Sequence, residues 1–393
     1  MPNYPNPEPR STPSLMQKLQ AEIASRGPIS FTEFMERALY HPEQGYYART
    51  STAIGRSGDF FTSVSVGPVF GELLARRFLT EWCAAGKPPR WRLIELGAHD
   101  GSLAADILTT FQSMDSALFH SVEYVIAEPL AGRAELQRRK LNEFRERVRI
   151  VNSLEGLADD PIPGLAFGNE LLDALPFHVV EWRNGWTECR VGLGPDQTLC
   201  WSPGHFIDHP DINELLSQLG DNLPEGYRTE VRVNVREIME PLLQCLSHGL
   251  LIWVDYGFAR PEFYHPDRTN GTLRTFSNHQ AGDDPLVDPG GCDITAHVDF
   301  TAVAENAIAL GMKVAAFQNQ GHWLTAVARP WLLALEGHPD PEKIGQFRTL
   351  IHPAHLGSRF HVLELAWNEP VERATAADFH RLALKACPPA CGP

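Results

Sequence analysis

Residues 91–101 read WRLIELGAHDG, and residues 122–129 read VEYVIAEP. Each is a short apolar run closed by a strand-stopping residue, glycine in the first and proline in the second. A helical pattern follows each of them, SLAADILTTFQ and AGRAELQRRKLNEFRER. Buried strands alternating with helices are the sequence signature of a parallel sheet covered on both faces. Three further runs extend it: VRIVNS at 148–153, GLAFGNE at 164–170 and GLLIWVDYG at 249–257. DITAHVDFTAVAENAIALG reads as a later helix, MKVAAFQ as a strand, and FHVLELAW (360–367) as an antiparallel closing strand. The fold class is therefore α/β, a doubly wound Rossmann-like sheet.

Outward from this core, residues 15–90 read as an N-terminal helical lobe. LMQKLQAEIAS stops at Gly27-Pro28, FTEFMERALY starts after a cap at Ser30 or Thr32, and VGPVFGELLARRFLTEWCAAG is amphipathic. Residues 177–246 read as an inserted hairpin and helical segment, splitting the core into 91–176 and 247–367. The Pro-rich residues 1–14 read as a disordered leader and 368–393 as a tail.

Composition narrows the function. The chain has 393 residues, too many for one compact core without elaboration. A net charge of −15 argues against nucleic acid as the main partner, because phosphate binding needs a basic face. The seven cysteines are scattered without a C-x-x-C pair, as expected of free thiols in a reducing compartment, here taken as the cytoplasm. No apolar run reaches the roughly 18 residues that a membrane span needs. The histidines lack metal-ligand spacing, so no metal is expected, and no G-x-S-x-G elbow supplies a hydrolase nucleophile.

The turn ELGAHDGSL holds Glu95, Gly97 and Gly101. Gly97 permits a tight turn, and Gly101 lets backbone pass close to a ligand at a helix start. A dinucleotide fold places a further glycine between them for the pyrophosphate. Here Asp100 would repel phosphate, whereas the sulfonium of S-adenosyl-L-methionine favours an acidic turn. Glu128 closes the second strand, where a carboxylate accepts both ribose hydroxyls. At the fourth strand, GNELLDALP sets Asn169, Glu170 and Asp173 beyond the carboxyl end, on the side where open α/β sheets bind ligands. Two carboxylates and an amide suit a cationic acceptor such as a guanidinium, which stays charged in water; helix capping by Asn169 and Glu170 is the other reading.

The segments GPISFTEFMERALYHPEQGYY, GDFFTS…FGELLA, LIELGAHDGSL, GNELLDALP, VDYGF, GTLRTF…DDPLVDPGGCDITAHVDF and HPAHLGSRFHVLEL occur in that order. From Ile23 to Trp367 the chain resembles the MidA-like family of methyltransferases, which includes a mitochondrial complex I assembly factor that dimethylates an arginine. The resemblance implies a seven-stranded class I methyltransferase sheet using S-adenosyl-L-methionine. It also implies an arginine acceptor on a partner protein, such as a respiratory complex I subunit. It places Gly58, Asp59, Phe60 and Thr62 in the cofactor pocket beside Glu95, Gly97, Gly101, Glu128 and Asn169. Glu170, Asp173 and His297 become the catalytic candidates, with Asp293, Thr295 and Asp299 in the same block as His297. His297 would orient a carboxylate or accept a proton, unless the block is a helix-capping network. Two departures stand out: Ala98-His99-Asp100 replaces the family's Pro-Gly-Arg, and QGHWLTAVA differs from its usual Phe-Leu-then-glycine block. Two alternatives stay open: a non-catalytic cofactor-binding assembly factor and a nicotinamide-dependent oxidoreductase.

Overall fold

The computed structural model describes residues 13–48, 62–220, 223–277 and 280–368. The chain opens with α1 (Leu15–Arg26) and α2 (Phe31–Tyr40). Each follows a serine, Ser14 or Ser30, whose hydroxyl accepts the N–H three residues on. The side chains of Gln17 and Glu33 return to the serine N–H, a reciprocal cap legible as S-x-x-Q and S-x-x-E. Then come α3 (Val69–Ala84), β1 (Trp91–Leu96), α4 (Ser102–Met114), α5 (Ser116–Ser121), β2 (Val122–Ala127), α6 (Ala131–Lys140), β3 (Val148–Val151) and β4 (Ile162–Asn169). A flanking unit follows: β5 (His178–Trp182), β6 (Trp186–Leu193), β7 (Leu199–His205), α7 (Pro210–Leu219) and β8 (Arg228–Val231). The core resumes with α8 (Val235–Cys245), β9 (Leu246–Phe258) and α9 (Arg260–Phe263). Four short strands come next: β10 (Arg274–Ser277), β11 (Gln280–Gly282), β12 (Asp293–Thr295) and β13 (Val298–Asp299). The chain closes with α10 (Phe300–Ala309), β14 (Lys313–Asn319), α11 (Gln320–Ala334), α12 (Pro341–Ile351) and β15 (Phe360–Trp367).

The main sheet runs β14-β15-β9-β4-β1-β2-β3, with β13 beside the end of β9. Strands β1 to β4 and β9 are parallel. β15 is antiparallel to β9 and β14, closing the sheet as its sequence suggested. From β1 the chain moves outward through β2 and β3, then returns to the other side with β4 and β9. This reversal opens a crevice at the carboxyl ends of β1 and β4, where such sheets bind ligands. Leu93, Phe167 and Leu250 bury one face of the sheet, and Ile94, Leu251 and Trp253 the other. Among the described residues no helix is long and apolar enough to cross a membrane.

Three boundaries differ from the sequence reading. α3 does not join α1 and α2 in a lobe: Phe70, Leu74 and Phe78 pack with α4 and the main sheet. α8 likewise belongs to the core, since Val235, Met239 and Leu242 pack with Trp253. What flanks the core is α1 and α2 against the β7-β6-β5-β8 sheet, joined by an Ile29–Val191 bridge and a shared apolar cluster. Periodicity identifies an apolar face but not the surface that will cover it. Third, DITAHVD is strand rather than helix, because β12 pairs with β10 and the Asp299 carboxylate caps α10, accepting the N–H groups of Thr301 and Ala302.

Candidate functional site

Gly97 (φ 73°), His99 (φ 46°) and Gly101 (φ 85°) put three left-handed residues into the turn between β1 and α4. A side chain is strained in this region, and His99 adopts it at the position where the resembled family has glycine. Gly101 is also closely packed: a Cβ there would lie 3.2 Å from Leu141 Cδ1, so that side chain would have to shift. Asp100 accepts the Ser102 N–H at 3.0 Å and its hydroxyl at 2.9 Å, satisfying donors at the start of α4. Burial opposes its charge, yet the bonds from His99 and Ser102 hold its carboxyl well below the usual range.

Glu95 is 2% exposed and accepts the Tyr124 hydroxyl at 2.7 Å. Burial pushes its pKa up to about 8. Its carboxyl is engaged inside the core, in the strand that leads to the turn. Glu128, 8% exposed, faces a different set of partners. One carboxylate oxygen accepts the Leu130 N–H and the other the Gln137 side-chain amide, both at 2.9 Å. The same amide nitrogen donates to the His99 carbonyl at 3.0 Å, tying the end of β2 to the glycine turn. Burial raises the Glu128 pKa, and each oxygen retains a lone pair for a ligand hydroxyl.

Beyond β4 lies a second cluster. Asn169 donates to Glu170 Oε1 at 3.0 Å, while its own Oδ1 is buried with no hydrogen-bond partner among the described residues. Glu170 is left-handed (φ 52°), and the chain turns there onto Asp255 at the end of β9. The Asp255 carboxylate accepts the N–H groups of Leu171, Leu172 and Asp173 at 3.1, 2.8 and 3.3 Å. Asp173 accepts the Tyr256 hydroxyl on Oδ2, and its Oδ1 is buried without a partner among the described residues. Tyr47 donates to Asp293 Oδ1 at 2.8 Å, and Tyr40 to the Ala174 carbonyl at 2.9 Å. Burial, then the Asp173 charge, push Glu170 up to about 8. Burial raises Asp173, and burial with the Asp173 and Glu170 charges drives Asp255 well above the ordinary carboxylate value. Acids this close and this poorly solvated hold their protons to unusually high pH, even with the Arg232 cation beside them.

The remaining expected residues divide. Gly58, Asp59 and Phe60 lie outside the described residues. Thr62 bonds locally with Ser65, while the next N–H, that of Ser63, faces the Glu170 carboxyl. The His297 ring stacks on Phe258 with centroids 4.9 Å apart and meets Tyr256 edge-on at 5.3 Å. Its Nδ1 has no partner among the described residues, and burial pulls its pKa down to about 4. A neutral ring without a hydrogen bond to a carboxylate does not orient one, and so low a pKa makes a weak base near neutral pH. Asp299 caps α10 and pairs with Arg260 at 3.3 Å, matching the capping alternative for that residue.

Sequence reasoning missed Tyr47, Arg232, Asp255 and Tyr256. The two from β9 carried a usable signal, an acid and a phenol at the carboxyl end of a core strand in VDYGF. Tyr47 and Arg232 come from the flanking segments, where nothing in the local pattern points inward.

With this geometry in view, comparison with known proteins is informative. A family model described as "Putative S-adenosyl-L-methionine-dependent methyltransferase" matches residues 73–318. The mouse (Mus musculus) protein arginine methyltransferase NDUFAF7, mitochondrial, is 30% identical, covering 92% of this chain and 86% of its own. The human (Homo sapiens) protein of that name is 28% identical over 97% and 89%. A Burkholderia thailandensis protein crystallised with S-adenosyl-homocysteine superposes with a TM-score of 0.80 and 30% identity, covering 93% of this chain and 94% of that one. The glycine turn, the acid that closes β2 and these likenesses agree, and the chain belongs to the S-adenosyl-L-methionine-dependent methyltransferase family.

Proposed function

We propose that this methyltransferase acts on an arginine side chain of a partner protein, with Glu170 and Asp173 holding the guanidinium. The observation that carries the reading is the buried acid cluster: beyond burial, the Asp173 and Asp293 charges raise the Glu170 pKa, and the Asp173 and Glu170 charges raise that of Asp255. An incoming guanidinium relieves that repulsion and offers N–H groups to the unpartnered Asp173 Oδ1 and Asn169 Oδ1. The relatives named as protein arginine methyltransferases support this acceptor. A respiratory complex I subunit is the partner that the MidA-like resemblance suggests.

S-adenosyl-L-methionine supplies an electrophilic methyl when bound. On this reading Glu128 takes the ribose hydroxyls, the Gly97–Gly101 turn lies against the rest of the cofactor, and Asn169 reaches it from the acceptor side. Glu170 and Asp173 draw the guanidinium charge toward the nitrogens they hold and align the remaining one for attack. As the nitrogen–methyl bond forms, the sulfur–methyl bond breaks with its electron pair left on sulfur, and the nitrogen gives up one proton. Glu170, with a pKa pushed up to about 8, is suited to take that proton near neutral pH. The free thiols at Cys83, Cys189, Cys200, Cys245 and Cys292 support work in a reducing compartment, which we take to be the cytoplasm.

Incubation with methyl-labelled cofactor and host lysate, followed by mass spectrometry of labelled proteins, tests the proposal. Methylarginine that falls sharply with Glu170→Gln or Asp173→Asn supports it. Label confined to another residue type overturns the acceptor. Tight S-adenosyl-homocysteine binding with no label anywhere points instead to a non-catalytic assembly factor.

A further inference from the structure

We infer that Arg232 is the positioning residue of the acceptor site, and that through it the flanking sheet becomes a working part of that site. The inference rests on reading the acid cluster as the place where the acceptor binds. Arg232 directly follows β8, the strand at one edge of the flanking sheet. Its guanidinium lies over the Phe177 ring, 4.9 Å from the centroid. From there Nη2 donates to the carbonyls of Asp173 and Ala296 at 2.6 and 2.7 Å, Nη1 to that of His297 at 2.6 Å, and Nε toward that of Leu175 at 3.4 Å.

These carbonyls belong to two segments far apart in sequence: the loop after β4, with Glu170 and Asp173, and the segment after β12, with His297. One planar fork joins them, beside the Ala296 N–H to Asp173 carbonyl bond of 3.1 Å. The fork itself is held from behind. Glu230, on the same strand, accepts the N–H groups of Thr272 and Leu273, and the Thr272 hydroxyl accepts the His297 N–H at 3.0 Å. Asn234 adds a second link from this segment to the β4 loop, donating to the Pro176 carbonyl at 3.0 Å.

The choice of partners is the telling feature. A buried arginine ordinarily pairs with a carboxylate. Here burial works against the Arg232 charge and lowers its pKa while Asp173 and Asp255 lie near enough to favour it, yet among the described residues every hydrogen bond it makes goes to a carbonyl. The cation thus offsets part of the acid cluster's field without occupying Asp173 Oδ1, the carboxylate oxygen without a partner among the described residues, which stays available to the acceptor. Lysine retains the charge but has no rigid fork able to span both segments.

Full-length Arg232→Lys, with Arg232→Met as the companion that also removes charge, provides the test. At saturating cofactor, Arg232→Lys should lower kcat by roughly tenfold to a hundredfold while acceptor KM and the Kd for S-adenosyl-homocysteine stay within about threefold. Arg232→Met should lower kcat at least as far. A kcat for Arg232→Lys within about twofold of wild type overturns the inference, and so does a parallel loss of S-adenosyl-homocysteine binding. Amide exchange gives an answer that needs no activity. In Arg232→Lys, residues 171–175 and 294–298 should exchange faster together while β1 and β4 do not change; exchange equal to wild type in both segments also overturns it. Absence of methyl transfer by wild type alongside this exchange pattern would refute the acceptor reading and leave the clasp standing.

Discussion

Glu128→Ala tests the cofactor pocket most directly. If Glu128 holds both ribose hydroxyls, the variant loses two hydrogen bonds to a charged acceptor, each contributing about 1.5 kcal/mol. Their sum of about 3 kcal/mol corresponds to roughly a hundredfold weaker Kd for S-adenosyl-homocysteine. A second, separate cost falls on the free protein. The Leu130 N–H and the Gln137 amide lose the acceptors they now have at 2.9 Å. Orphaning these donors should lower stability by about 1–3 kcal/mol. Because Gln137 also holds the His99 carbonyl, some of the affinity loss arises from a looser glycine turn. Glu128→Gln is no neutral control, since its amide NH₂ would face one of these donors. Calorimetry with S-adenosyl-homocysteine, paired with thermal unfolding followed by circular dichroism, separates the two effects. A folded Glu128→Ala variant that binds within about threefold of wild type would refute the assignment of the ribose to this carboxylate.

Three further outcomes are expected. Glu170 has a folded pKa of about 8 against an ordinary 4.5, so its contribution to stability is complete below 4.5 and fades as pH rises through 8. A cation requires the ionised form, so kcat/KM should rise with pH toward an inflection near 8 in wild type and lose that limb in Glu170→Gln; a falling profile would contradict the role. Asp255→Ala leaves the Leu171, Leu172 and Asp173 N–H groups without their acceptor, and at about 1 kcal/mol each it should cost about 3 kcal/mol by urea denaturation; a loss below about 1 kcal/mol would mean that water replaces the carboxylate. Gly101→Ala forces a side chain into φ 85° with Leu141 Cδ1 only 3.2 Å away, and should cost about 1–2 kcal/mol, read as a lower melting temperature with weaker S-adenosyl-homocysteine binding.

The sheet was legible from the chain because the determinants of buried parallel strands are local. Apolar runs at 91–96, 122–127 and 249–257 are each followed by a stop signal, and helical periodicity fills the gaps between them. Glu128 was legible for the same reason, since its place at the end of a core strand follows from the run before it. The two N-terminal helices were legible from their periodicity, but the structure assigned their caps: Ser14 with Gln17, at a residue read as part of the leader, and Ser30 rather than Thr32 with Glu33.

Tertiary structure decided what depends on surfaces and fields. α3 and DFTAVAENAIA have similar apolar patterns, yet only packing assigned α3 to the main sheet, and only the β10 partner made DIT a strand. His99 interrupts the glycine motif, and only the fold shows that it is held left-handed there. Asp255, Tyr47 and Arg232 reach the site from segments separated by up to about two hundred residues, and no sequence period encodes such a meeting. The raised pKa values of Glu170 and Asp255 exist only once burial removes water and brings the acids together, because a pKa is set by surroundings that form on folding.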